Sequence, residues 1–177
     1  PKREGLKVTV RGGLKLAGAR LSVPADISSA AFWIIAATLL PGSVLTLLDT
    51  SVNPTRIGVL DVLRRMGGAI EIHPKPGSGS EPMADLLVRD ARLGATDILP
   101  CEIPGLIDEV PILALAASQA EGVSCFRGLA ELRHKESDRL AATAAMLGAL
   151  GAQAMVEGDD LIVTGPRPLR RARVLSG

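Results

Sequence analysis

Two stretches of this chain follow one plan about eighty residues apart, and that internal repeat limits the possible fold more than any other feature. The first, residues 28–49, reads SSAAFWIIAATLLPGSVLTLLD, and the second, residues 108–128, reads DEVPILALAASQAEGVSCFRG. Each reads as a helix of small and apolar residues, then a turn at Gly42 or Gly122, then a β-rich run. The segments after them match as well. NPTRIGVLDVLRRMGGAIEI and HKESDRLAATAAMLGALGAQAMV each give an amphipathic helix and then a strand. Ile57, Leu60, Leu63 and Met66 lie at helical spacing, as do Leu140, Ala144, Leu147 and Leu150. Gly67-Gly68 and Gly151 come after these helices, where a left-handed residue stops a helix.

Each unit closes on one more strand, ADLLVRDA in the first and DLIVTG in the second. The plan is therefore β-α-β-α-β-β, and the fold class α+β, with repeat units at 14–93 and 94–165. The opening strands are expected within LKLAGARLSVP (14–24) and ATDILPCEI (95–103). The helices at 30–40 and 111–120 are apolar on most faces and are expected to be buried. PKPGSGSEP (74–82) is a polar surface excursion rather than a domain linker. The tail, residues 166–177, matches nothing earlier and reads as the start of a third unit.

Composition narrows the function. Lys plus Arg is 20 against 19 for Asp plus Glu, a net charge of +1, which argues against a dedicated nucleic-acid or membrane-surface protein. Hydrophobic residues make up 47% of the 177, enough for a real core built from Ala, Leu, Val and Ile, with only Phe32, Trp33 and Phe126 as aromatics. Cys101 and Cys125 give neither a metal spacing nor a disulfide framework and read as free or buried thiols in a reducing compartment. The longest apolar run is cut by Pro41 and Gly42, too short to span a bilayer. No leader is visible at Pro1, and a first residue other than Met suggests a piece of something longer. A cytoplasmic protein is the expectation.

Charge concentrates at residues 133–139, RHKESDR, just before the apolar run LAATAAML. A helix beginning near His134 would put Lys135 and Arg139 four apart on one face, and Glu136 three before Arg139. A like-charge pair at that spacing costs about 0.2–0.5 kcal/mol on an isolated helix. Cations in a first turn also oppose the positive end of the helix dipole. Both penalties vanish when an anion binds there, because backbone N–H groups and both cations point at it. Of Glu136 and Asp138, one can be held by Arg139 while the other does proton chemistry. As charge pattern alone, the run is better read as a solvated helix start with internal ion pairs, and His134 as a surface or packing residue.

In GLIDEVPILALAA, Asp108 and Glu109 stand at the mouth of a very apolar helix. Asp108 can cap that helix or accept a proton from a substrate hydroxyl, and spacing does not separate the two. Asp26, Ser28 and Ser29 occupy the corresponding helix start of the first unit, where capping is the favoured reading. Arg56 is the repeat counterpart of Arg139 but lacks the lysine–glutamate pair, and reads as structural.

These residues carry a resemblance. LRHKESDRL resembles the signature of the EPSP synthase family, enolpyruvyl transferases that act on shikimate 3-phosphate. LIDEVPILALAA is similar to that family's substrate-aspartate segment, and DISSAAFWIIAA with NPTRIGVLDVLRRMGG to its preceding unit. The likeness spans nearly the whole chain in the right order. Ala25 stands where the family usually has Gly, which touches turn geometry more than chemistry.

The resemblance implies an inside-out α/β barrel type of fold, two domains of three βαβαββ units each with the active site in the cleft between them. Two of those six units would be present here, in part of the second domain. It implies transfer of the carboxyvinyl group of phosphoenolpyruvate to the 5-hydroxyl of shikimate 3-phosphate, with release of phosphate, and neither metal nor organic cofactor. Carried over by motif, Asp108 takes the proton from the substrate hydroxyl, and Lys135 binds shikimate 3-phosphate and joins in proton transfer. Glu136 handles the proton at the methylene carbon, and Arg139 binds the phosphoenolpyruvate anion.

The expected partners are those two small molecules, together with the missing first domain and third unit of the same polypeptide. The full-length enzyme is expected to be a monomer without nucleic acid or membrane. The family's first domain brings a Lys-Ser pair and arginines for the phosphates, so the fragment alone is not expected to turn over. Two alternatives stand beside this one. A relative acting on UDP-N-acetylglucosamine would share the fold, but its pattern lacks KESDR and relies on a cysteine in the missing domain. A non-catalytic anion or nucleic-acid module would use Arg64, Arg65 and the Arg-rich tail, against which near-neutral charge and few aromatics weigh.

Overall fold

The computed structural model describes residues 1–13, 15, 17–18, 20–76 and 81–174. An exposed hairpin opens the chain, β1 (Lys2–Glu4) against β2 (Lys7–Thr9), for which the repeat gives no counterpart. The first unit then runs α1 (Ile27–Leu39), β3 (Val44–Ser51), α2 (Gly58–Arg65), β4 (Ala69–Lys75) and β5 (Met83–Arg89). The second runs β6 (Asp97–Ile98), α3 (Val110–Ala117), β7 (Gly122–Phe126), α4 (Arg139–Ala149), β8 (Gln153–Glu157) and β9 (Asp160–Gly165).

The two sheets share one strand order. The first is β3-β5-β4 and the second β6-β7-β9-β8, so in both the closing strand lies between the strands that come after the two helices. Those pairings are antiparallel in both units, whereas β6 joins β7 in parallel. Alternation explains which face is covered. Ala84, Leu86 and Val88 of β5, and Leu161 and Val163 of β9, are buried, while the residues between them are only partly so. Gly67 (φ +100°) and Gly151 (φ +88°) end the second helix of each unit in the left-handed conformation expected there.

Two expectations about the fold need correction. The opening strand of the first unit is no strand in the described residues of 14–24. It is reduced to a parallel bridge between Ala25 and Thr50, where β6 supplies two residues in the second unit. Residues 14, 16 and 19 of that expectation, 77–80 of the polar turn and 175–177 of the tail lie outside the described residues. The first helix is buried over most of its surface but not all round. Its inner side, Ile27, Ala31, Ile34 and Ile35, is closed, but Phe32 is 61% and Trp33 65% exposed. An all-apolar helix shows no periodicity from which its open side could be read.

The core sits where α1 and α3 pack together across the unit boundary, each lying also on its own sheet. Two further ties hold the units in one arrangement. Arg65 at the end of α2 reaches Glu102 (2.7 Å), the Thr96 hydroxyl (2.9 Å) and the Asp97 carbonyl (3.0 Å). The start of α2 also lies so close to the 3-10 turn Ile103–Gly105 that a Cβ on Gly58 would stand 2.9 Å from the Gly105 carbonyl oxygen. Among the described residues no helix is long and apolar enough to cross a membrane.

Candidate active site

A second 3-10 turn, Ile107–Glu109, comes directly after the first and leads into α3. Pro111 near the start of α3 suits the helix opening, where its missing N–H costs nothing. Asp108 does not cap α3. Glu109 is the capping position, and no side chain there accepts from the helix. The Asp108 carboxylate instead points to the charged segment ahead of α4, 3.8 Å from the Lys135 ammonium and 3.5 Å from the Arg139 guanidinium. Of the two readings open for this residue, capping is excluded.

That charged segment divides by task, and here a third expectation is corrected. The helix does not begin near His134. Residues Ala130–His134 form a 3-10 turn, Lys135 is extended, and α4 starts only at Arg139 with Asp138 as its cap. The physical reason is Asp138, whose carboxylate accepts from the Ala141 amide (2.9 Å) and so fixes the helix start there. Lys135 and Arg139 are therefore not stacked four apart on a helix face, and they converge because the chain bends between them. Arg133 makes the bend rigid. It pairs with Asp138 (3.3 Å) and Asp159 (3.0 Å) and donates to the Gly158 carbonyl, fastening the segment to the β8–β9 turn. His134 is exposed.

The remaining charges form one cluster. Arg139 holds Glu136 at 2.6 Å, and Lys135 also lies 3.6 Å from Glu131. Glu136 is largely exposed, and its own backbone amide and the Arg139 charge hold its carboxyl below the usual glutamate value. It is thus ionised at neutral pH. Arg139, at the first helical position, would oppose the helix dipole, and two carboxylates offset that. Both cations are partly exposed, so an incoming anion can displace the carboxylates and take over their partners.

The first unit contributes more than capping. Asp26 does cap α1, accepting from the Ser28 and Ser29 amides at 3.2 and 2.9 Å. Burial alone would raise its pKa, but the Ser29 hydroxyl, these amides and the Arg56 charge together bring it below the ordinary aspartate value. The Ser28 hydroxyl accepts from Arg56 (2.8 Å) and donates to Glu109, which is only 2% exposed. Sequence reasoning missed this link. The available signal was a second acid beside Asp108, which once buried must find a partner. Among the described residues no three His, Cys, Asp or Glu side chains converge as a metal site, and both cysteines are free.

The sequence model of the EPSP synthase (3-phosphoshikimate 1-carboxyvinyltransferase) family matches residues 2–177. A 3-phosphoshikimate 1-carboxyvinyltransferase of Synechococcus sp. (strain JA-3-3Ab) is 50% identical over 167 residues, 94% of this chain and 38% of that protein. Another, of Desulforudis audaxviator (strain MP104C), is 49% identical over 94% of the chain and 39% of its own length. The chain therefore spans well under half of the curated relatives it matches. Among solved structures, EPSP synthase from Acinetobacter baumannii superposes with a TM-score of 0.83 at 36% identity, over 92% of this chain and 38% of that one. The enolpyruvyl transferase NikO from Streptomyces tendae, at 21% identity and a TM-score of 0.62, shares the fold over 84% of this chain and 32% of its own.

Proposed function

Because the chain belongs to the EPSP synthase family, we propose that it forms one wall of an active site that joins phosphoenolpyruvate to shikimate 3-phosphate. In the full-length protein the carboxyvinyl group moves to the 5-hydroxyl and phosphate leaves. One observation carries this reading. Asp108 faces Lys135 and Arg139, and Glu136 lies on Arg139, so an acid–base pair and two cations share one open surface.

The chemistry asks for that set. Asp108 takes the proton of the attacking hydroxyl while its oxygen bonds to the central carbon of phosphoenolpyruvate. The methylene carbon must gain a proton in that addition and lose it again as the C–O bond to phosphate breaks, and Glu136 serves both steps. Arg139 binds the phosphoenolpyruvate anion. In doing so it leaves Glu136 with less of the charge that keeps it ionised, which favours protonation at the moment an acid is needed. Lys135 sits on shikimate 3-phosphate and steadies charge on Asp108. Cations preorganised in this way contribute several kcal/mol to the transition state, with about 2.7–4 kcal/mol typical for one such donor.

The units 14–93 and 94–165 are two of six, residues 166–177 begin a third, and the opposite wall comes from the rest of the polypeptide. The test is phosphate release by the full-length enzyme with phosphoenolpyruvate and either of two acceptors. Shikimate 3-phosphate is expected to support turnover and UDP-N-acetylglucosamine to fail, and the reverse would overturn the reading. The 177-residue chain alone, which spans 38% of the length of its Synechococcus relative, is expected to release no phosphate.

A further inference from the structure

We propose that Glu109 is a positioning residue, which through Ser28 and Arg56 fixes the turn that presents Asp108. The inference rests on the reading of Asp108 as the base of the transfer reaction. Its observations are independent of which acceptor is used.

Glu109 and Asp108 are neighbours in a single 3-10 turn, yet their carboxylates face opposite environments. Asp108 is turned to the open cationic surface, and Glu109 is 2% exposed. A buried carboxylate is costly unless it is paired, and a packing role would be met better by an apolar residue. The partner of Glu109 comes from the other unit. Ser28, in the first turn of α1, donates its hydroxyl proton to Glu109 and accepts from the Arg56 guanidinium at 2.8 Å.

The chain of contacts is therefore cation, hydroxyl, carboxylate. Each member polarises the next, and the hydroxyl carries both bonds at once. Arg56 stands in the loop before α2, so the relay ties both helix starts of the first unit to the turn of the second. Asp108 is held from its other side by Lys135 and Arg139. Substrate anions can take over Lys135 and Arg139, but the buried bond of Glu109 to Ser28 remains, so the three-residue turn keeps presenting Asp108 when substrate arrives.

The test uses the full-length enzyme and five variants, Ser28→Ala, Ser28→Thr, Arg56→Ala, Asp108→Asn and the Ser28→Ala/Asp108→Asn double. Replacing Glu109 itself can unfold the chain, so the hydroxyl is removed instead. Ser28→Ala is expected to lower kcat on the order of tenfold, while KM for phosphoenolpyruvate, which Arg139 binds, stays unchanged. Ser28→Thr, which keeps the hydroxyl, is expected to restore the rate. In the Asp108→Asn background the Ser28→Ala loss is expected to disappear, because its effect runs through Asp108. Arg56→Ala is expected to reproduce the Ser28→Ala split between kcat and KM.

A full Ser28→Ala loss that persists beside Asp108→Asn, an unchanged kcat, or no rescue by threonine would overturn the proposal. Amide hydrogen exchange of residues 106–109 gives the readout that needs no substrate. Ser28→Ala is expected to speed it, and unchanged exchange would overturn the proposal as well. If wild-type enzyme makes no product with shikimate 3-phosphate, the functional reading fails, and the exchange measurement still decides the positioning role.

Discussion

Asp108 shows what a side chain gains from being denied its simplest use. An aspartate beside an apolar helix would ordinarily cap it, but here the cap position passes to Glu109 and the carboxylate meets two cations. Lys135→Ala is expected to raise KM for shikimate 3-phosphate and Arg139→Ala that for phosphoenolpyruvate. Each loss should amount to roughly 1.5–3 kcal/mol, as for hydrogen bonds to charged groups, and steady-state kinetics of the full-length enzyme reads it. Arg133 is engaged by Asp138, Asp159 and the Gly158 carbonyl, and Arg133→Ala removes all three contacts. It should leave α4 capped yet loosen the segment before it, raising both constants together, because Arg133 is what fastens that segment to the β8–β9 turn.

The four charges of the candidate site were legible only through the likeness of LRHKESDRL and LIDEVPILALAA to the EPSP synthase family, because as charge pattern alone the run reads as a solvated helix start. Their arrangement was not. Lys135 and Arg139 fit a helix face equally well by spacing, and only the competition of Asp138 for the Ala141 amide decides against it. The Glu109–Ser28–Arg56 link was invisible for another reason, since its members lie in separate segments that only packing brings together.

At the scale of elements, repetition was the legible part. The order of elements along the chain, the glycine stops and the buried stripes of α2 and α4 follow from local pattern, and β9 falls on DLIVTG, whereas the order of strands within each sheet does not. The opening strand and the open side of α1 did not, because a single bridge at Ala25 and a helix apolar all round leave no periodic trace. Where the units meet, close approach rather than pattern sets the geometry. Gly58→Ala is expected to destabilise the chain by about 1–3 kcal/mol, since its Cβ would push on backbone at Gly105. Denaturant unfolding measures this. The same variant should also slow turnover in the full-length enzyme, because the displaced turn leads straight to Asp108. Arg65→Ala removes a two-point pair with Glu102 together with the bonds to Thr96 and Asp97, and is expected to cost about 1.5–3 kcal/mol.

For the molecule as a whole, the carboxylates of Asp26, Glu71, Asp85, Glu102 and Glu136 all titrate below their ordinary values when folded. The unfolded chain then binds more protons in acid, so stability rises with pH there. It is fully present above the ordinary values of 3.8 for aspartate and 4.5 for glutamate, and is lost as pH falls through the depressed folded values. Urea unfolding at pH 7, 5 and 3 is expected to show little change in the first interval and a marked loss in the second. Equal losses would mean that these pairs do not form. The chain spans 38% of its Synechococcus relative, and the cationic surface at Asp108 is proposed as one side of a cleft that the rest of the polypeptide completes. The most direct test is phosphate release by full-length enzyme carrying Asp108→Asn, at saturating phosphoenolpyruvate and shikimate 3-phosphate. The account predicts a kcat lower by a factor of about 10²–10⁴, the range for a positioned general base, with an unchanged melting temperature. A kcat within twofold of wild type would contradict it.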